Sequence, residues 1–370
     1  MYKQLLAFIF IFLLAYIVGD NLLFWYSKGQ VKEQQLSVSF RHVANTDFSS
    51  SPSAGYTSIS NNTLNQASQR FRTGHYGEVL SSVLDPAAYE YECKFVFLGG
   101  SSTESRWVTE KGRWVSLLQK ELVANKIKAA VFNFGVGGQN LSQTLLRYSS
   151  YIAGLEPRKV FLMHEANDIA KFIKGGYEVQ EGSLHNLYDR DSVVNPLSHR
   201  VIAIGRLTLP FTSEILRISR NKYYSMPPSR LEAIKFSGLS PDKAAEHYAG
   251  RVLALNAIVS SYGGELIFIE YPEVYKDVLS SKSLKINLLV KAELVKRLAL
   301  NGLSSGEFLS YVENFRSNVT TILSESNIKI IERPGYLTES HFYDAVHFND
   351  EGSKLFSDWL WPKIKDNACA

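Results

Sequence analysis

An apolar run, Lys94-Phe95-Val96-Phe97-Leu98, ends in Gly99-Gly100-Ser101. Glycines let the backbone turn sharply where a strand stops, and a serine at that turn is presented at the top of a parallel sheet. Far along the chain stands Asp344-Ala345-Val346-His347. An imidazole can take the proton of a serine hydroxyl, and a carboxylate three residues earlier on a loop can orient that imidazole. His347 is one of eight histidines, and a histidine taken alone is more often structural than catalytic. Its spacing from Asp344, just before a closing helix, singles it out. The chemistry these residue types support is acyl transfer through a serine, to water or to another hydroxyl.

Two further segments carry candidate groups. Asn133-Phe134-Gly135-Val136-Gly137-Gly138-Gln139-Asn140 is a glycine run that opens a helix. Bare N–H groups there suit an anion or an oxyanion, and a tight turn needing positive φ is the plainer reading. It is not a dinucleotide fingerprint: the spacing is not Gly-x-Gly-x-x-Gly, and no acidic residue closes the next strand. His164-Glu165-Ala166-Asn167-Asp168 shows half of His-Glu-x-x-His, with Asp168 where the second histidine belongs. That argues against zinc, and no Cys-x-x-Cys or His-x-x-x-His pattern occurs elsewhere. Asn167, at a strand's C-terminal end, can donate its side-chain N–H to an oxyanion.

The elements that must hold these groups alternate. Strands are expected at 94–98, 129–134, 159–164, 265–270 and 329–332. Helices are expected at 111–125, 141–153, 241–262, 306–326 and 351–363. Such alternation means a parallel sheet covered on both faces, with the site beyond the C-terminal strand ends. Residues from about 170 to 241 break the rhythm and are read as a partly helical insertion, a lid or docking surface. Residues 28–92 are read as a neck and lead-in, with 45–68 rich in Ser, Thr, Asn and Gly and expected to be a loop or tether.

The 370 residues are 45% hydrophobic and 21% charged, with a net charge of only +4. No basic stripe points to nucleic acid. Residues 5–26 are almost continuously apolar; about 22 residues span roughly 33 Å as a helix, enough to cross a bilayer. Asp20 and Asn21 lie near the far end, and Trp25 and Tyr26 suit an interfacial belt. We therefore expect 1–27 to be an uncleaved signal anchor, with a cleaved signal peptide as the alternative, and the catalytic domain (93–370) to face the periplasm or cell exterior. Cys93 and Cys369 are the chain's two cysteines; sequence separation leaves their pairing open.

The order Ser101, glycine run, Asn167, Asp344-x-x-His347 resembles the SGNH (GDSL-type) hydrolase family, over roughly residues 94–364. The resemblance implies an α/β fold of three layers (α/β/α), flavodoxin-like, with a five-stranded parallel sheet. It makes Ser101 the nucleophile, His347 the general base and Asp344 its orienter. The Ser101 N–H, the Gly138 N–H and the Asn167 side chain form the oxyanion hole, and no metal or cofactor is required. The chain departs from the family pattern twice: Gly100 stands for the Asp of Gly-Asp-Ser, and Glu165 for the Gly of Gly-x-Asn-Asp. The second change is expected to put a charge beside the oxyanion hole.

The leading expectation is a membrane-anchored serine esterase removing O-acetyl or similar acyl groups from envelope or secreted polysaccharide. The 12% aromatic content could stack on sugars, though most such rings are core. Alternatives are an O-acyltransferase onto polysaccharide working with a multi-pass membrane partner, a lipase, and a non-catalytic subunit of a polysaccharide export machine.

Overall fold

Each of the five apolar runs forms a strand. In this computed structural model the described residues are 42, 44–51, 68–81, 86–173, 238–280, 294–295, 298–299 and 301–365. In chain order the strands are β1 (Asp47–Ser50), β2 (Gln69–Arg72), β3 (Lys94–Gly99), β4 (Ala130–Gly135), β5 (Lys159–Met163), β6 (Glu265–Ile269) and β7 (Lys329–Ile331). The last five make one sheet in the order β4-β3-β5-β6-β7, every neighbouring pair parallel. Phe95, Val96, Phe97 and Leu98 are all wholly buried. A continuous apolar run, rather than an alternating one, is what a strand covered on both faces requires. Each such side chain contributes roughly 1.5–3 kcal/mol of burial.

The helices are α1 (Ser101–Glu104), α2 (Trp114–Ala124), α3 (Leu141–Arg147), α4 (Ala166–Ile173), α5 (Pro241–Ser261), α6 (Tyr275–Ser280), α7 (Ser305–Glu325) and α8 (Asp350–Lys365). α2 packs with α8, while α5 packs with α3, α4 and α7. That grouping places a helical layer on each face of the sheet. Caps fix where the long helices start. Ser240 accepts from Lys243 N ahead of Pro241, and Ser304 with Glu307 forms a capping box. The expected helix over 141–153 instead breaks after Arg147 into a π turn (Tyr148–Ile152) and a 3-10 turn (Ala153–Leu155). Ser149 and Ser150 both donate their hydroxyls back to Leu146 O, at 3.0 and 2.6 Å. Such back-bonding competes with the helical ladder and bends it.

The lead-in is more structured than its composition implies. β1 pairs antiparallel with β2, although Asp47–Ser50 falls within the stretch expected to be a loop. Phe71 in β2 is wholly buried, with Arg106 and Arg113 over its ring. Val79 bridges Asn133 of the edge strand β4, its N–H donating to Asn133 O at 2.7 Å. The backbone groups on that side of β4 are thus partly covered, which is how exposed sheet edges are protected. Cys93 is buried and disulfide-bonded; Cys369 lies outside the described residues, as do the expected anchor (5–26) and insertion residues 174–237. Among the described residues no helix is long and apolar enough to cross a membrane. The described residues belong to one compact unit, drawn from 37–177 and 233–370.

Candidate active site

Ser101 is the first residue of α1, immediately beyond β3. Two glycines make that turn possible. A side chain on Gly99 would begin 2.0 Å from Thr103 Oγ1 and 2.5 Å from Met163 O. On Gly100 it would begin 3.1 Å from Asn167 Nδ2. With no side chain at residue 100, the Asn167 amide has room over the turn that carries Ser101.

His347 and Asp344 sit on a tight loop closed by a bridge between Phe342 and Phe348. The loop is shaped from within. Asp344 Oδ1 accepts both Val346 N and His347 N at 2.8 Å, and Tyr343 N donates to His347 O at 3.0 Å. Asp344 Oδ2 remains for the imidazole, taking His347 Nδ1–H at 2.6 Å. With Nδ1 carrying the proton, Nε2 is the acceptor, and the Ser101 hydroxyl donates to it at 2.6 Å. The structure thus brings together three side chains from opposite ends of the catalytic region in the order serine, imidazole, carboxylate.

The electrostatics follow from this packing. Burial pushes the His347 pKa down, but the Asp344 charge and hydrogen bond outweigh it, with Glu104 adding; the net shift is upward. Burial likewise raises Asp344, yet the His347 charge and the hydrogen bonds from His347 and the two backbone N–H groups lower it overall. Glu104, three residues after Ser101, is buried. Desolvation alone would raise its pKa, but Arg106 and His42 hold it at about 2. His42 Nε2 lies 3.1 Å from Glu104 Oε1 and 3.2 Å from Gly135 O.

The glycine run forms a turn against the serine. Gln139 N donates to Val136 O at 3.3 Å, and Gly138 has φ +77°. This conformation suits a type II turn and favours glycine. A side chain on Gly137 would begin 3.7 Å from Ser101 Cβ. Among the described residues neither the Ser101 N–H nor the Gly138 N–H has an acceptor. Asn167 lies in the first turn of α4 rather than on a strand end, and its Nδ2 donates to Gln139 O at 2.7 Å. That bond uses one amide hydrogen and ties the Asn167 amide to the glycine turn.

Glu165 is not beside the oxyanion donors as a free charge. It is 4% exposed and takes a bidentate contact from Arg316 of α7, with Arg316 Nε 3.0 and 2.9 Å from its two oxygens. Arg316 also reaches Glu273 at 2.6 Å, and Arg333 reaches the same Glu273 oxygen at 2.8 Å. The charge expected beside the oxyanion hole is thus paired by a cation from α7. His164 is likewise occupied, sharing a hydrogen bond with Thr144 at 2.9 Å and lying 3.4 Å from Asp168. Among the described residues no group of His, Cys, Asp and Glu is placed to hold a metal.

No family model matches the chain, and no curated protein matches its sequence. Solved structures similar to it include a GDSL-like lipase from Bacteroides thetaiotaomicron, at 12% identity over 75% of this chain and 90% of that one, with a TM-score of 0.39. A psychrotrophic esterase from Pseudoalteromonas is 12% identical over 74% and 98%, with a TM-score of 0.38. A variant of an acetyl-xylooligosaccharide esterase from Geobacillus is 13% identical over 74% and 94%, with a TM-score of 0.40. Likeness this remote leaves the argument to the geometry.

Residues the motifs did not reveal also line this region. Ser102, Tyr271 and Tyr343 touch the triad or its neighbours, and the Glu104 charge acts on His347. Glu104 and Tyr343 stand close to motif residues in the sequence, a weak signal. Tyr271 carries no sequence signal toward Ser102, 169 residues away.

Proposed function

We propose that the chain is a serine esterase of the SGNH type. The observation that carries this reading is the hydrogen-bonded chain Ser101–His347–Asp344. His347 Nε2 removes the hydroxyl proton as Ser101 Oγ attacks the ester carbonyl carbon. The negative charge that develops on the carbonyl oxygen is held by the Ser101 and Gly138 N–H groups and the Asn167 amide. Preorganised donors of this kind are each worth several kcal/mol at the transition state. When the tetrahedral species collapses, the ester C–O bond breaks and His347 returns the proton to the leaving alcohol. Water then repeats the sequence on the acyl-serine, releasing the carboxylate and free Ser101.

We further propose that residues 5–26 anchor the enzyme in a membrane and that its substrate is an acylated polysaccharide outside the cytoplasm. An acyl-accepting hydroxyl in place of water would make the same site an O-acyltransferase. The non-catalytic reading is disfavoured by the capture of Glu165 by Arg316.

The test is release of p-nitrophenol from p-nitrophenyl acetate by the full-length chain, with Ser101→Ala alongside and fluorophosphonate labelling of both. Turnover and labelling that vanish in S101A support the serine mechanism. Absence of both in the unaltered chain would sink it. Release of acetate from acetylated oligosaccharide, with little activity on long-chain esters, separates a carbohydrate esterase from a lipase. Recovery in the membrane fraction tests the anchor.

A further inference from the structure

The bonds inside the 343–347 loop give it shape but do not place it against Ser101. Among the described residues, the following bonds to the body do so. Val274 N, beyond β6, donates to Ala345 O at 3.0 Å. Ser102 Oγ donates to Val346 O at 2.9 Å. Ser102 is the residue after Ser101, and Val346 is the residue before His347. This bond therefore ties the nucleophile's backbone to that of the imidazole. A hydroxyl has one hydrogen. With Ser102 giving it to Val346 O, the contact between Ser102 Oγ and Tyr271 OH must be donated by the phenol. Tyr271 is 4% exposed. Burial is the main influence raising its pKa, with the Asp344 charge adding, so the phenol stays protonated and able to donate. Ser102 is itself held in place: its carbonyl accepts Trp114 Nε1 at 3.0 Å and Ser105 Oγ at 2.9 Å.

We infer that Tyr271 is a positioning residue, acting through a relay Tyr271 OH → Ser102 Oγ → Val346 O that sets the Ser101–His347 distance. Neither Tyr271 nor Ser102 is assigned contact with substrate. The inference rests on the proposed roles of Ser101 and His347. Without the phenol's hydrogen, Ser102 Oγ is free to rotate away from Val346 O, and the loop can drift. Misplacement of a catalytic group by about 1 Å costs on the order of a hundredfold in rate. A loosened loop that still samples the right geometry loses less.

The experiment uses the full-length chain and its variants Tyr271→Phe, Ser102→Ala and the double substitution. It measures the rate constant for fluorophosphonate labelling of Ser101, kcat and KM for p-nitrophenyl acetate, and Tm. Tyr271→Phe deletes a single oxygen and keeps the ring packed. The expected result is a roughly tenfold fall in labelling rate and kcat, with KM unchanged. The double variant is expected to lose no more than Ser102→Ala, because the two hydroxyls act as one unit. Labelling and kcat at the unaltered rate in Tyr271→Phe, even with a lower Tm, would overturn the inference and leave Tyr271 a stability residue. Losses that multiply in the double variant would overturn it too. Failure of the reading beneath it is seen separately, as an unaltered chain that does not label at all.

Discussion

The rings of Tyr343 and His347 lie 5.3 Å apart and 7° from parallel. Tyr343 is buried and also donates its N–H to His347 O. The ring face restricts rotation of the imidazole, and its negative quadrupole favours the imidazolium that forms as Ser101 loses its proton. Tyr343→Phe keeps that face and should retain near-normal turnover. Tyr343→Ala should lower kcat/KM by about two- to tenfold, since such contacts are worth about 0.5–1.5 kcal/mol. Equal activity in Tyr343→Ala would show that the stack has no catalytic part.

Asp344 divides its two oxygens between the loop backbone and the imidazole. In Asp344→Asn one oxygen can still close the loop, but an amide facing Nδ1 donates where an acceptor is needed. The wrong tautomer is then favoured, and kcat should fall by about 10³–10⁴-fold with the fold intact. Steady-state kinetics beside circular dichroism checks both halves of that statement.

Because the net shift of His347 is upward from 6.5, the base is protonated and inactive at low pH. Hydrolysis should rise with pH through a midpoint above 6.5, and a pH–rate profile measures it directly. The same shifts act on stability. The raised His347 contributes fully below its unfolded pKa and loses its contribution as pH rises through the folded value. The lowered Asp344 contributes above its unfolded value of 3.8 and loses its contribution as pH falls through the folded one. The pair should therefore stabilise most between about pH 4 and 6.5, below the range where turnover is highest. Melting temperatures of wild type and His347→Ala across pH 3–9 would show no such window if the assignment is mistaken.

Glu165 and Arg316 are nearly buried partners, with side chains 5% and 15% exposed. Removing Glu165 leaves Arg316 with Glu273 as its remaining carboxylate, so the cost should be about 1–3 kcal/mol, below that of a fully stranded buried charge. Glu165→Gln should therefore lower the denaturant midpoint markedly, yet below its unfolding transition it should still label at Ser101. Loss of labelling in folded Glu165→Gln would instead place this carboxylate in the chemistry.

Phe71 tests whether the lead-in belongs to the domain. It is wholly buried, meets His42 edge-on at 5.0 Å, and lies under Arg106 and Arg113. Phe71→Ala should cost about 3–5 kcal/mol. A change under 1 kcal/mol in denaturant unfolding would mean that the segment is only loosely attached.

The five parallel strands and their order of appearance were readable from residues alone. Ser101, Asp344 and His347 stood out there too, and the fold joins them in one hydrogen-bonded chain. Apolar runs ending in glycine or polar residues report directly on strands buried on both faces, and Asp344 meets His347 only three positions along the chain. Other features depended on side chains far apart in the chain. Whether Glu165 faced the oxyanion donors was decided by Arg316, 151 residues later. Whether 45–68 was only a loop was decided by pairing of Asp47–Ser50 with Gln69–Arg72. The break after Arg147 came from serine hydroxyls competing for one carbonyl. The relay from Tyr271 through Ser102 to Val346 exists only because β6 lies two strands from β3. A sequence determines local propensity and burial pattern through near neighbours. The partner of a buried charge or hydroxyl is set by packing between distant segments, and only the tertiary structure decided those.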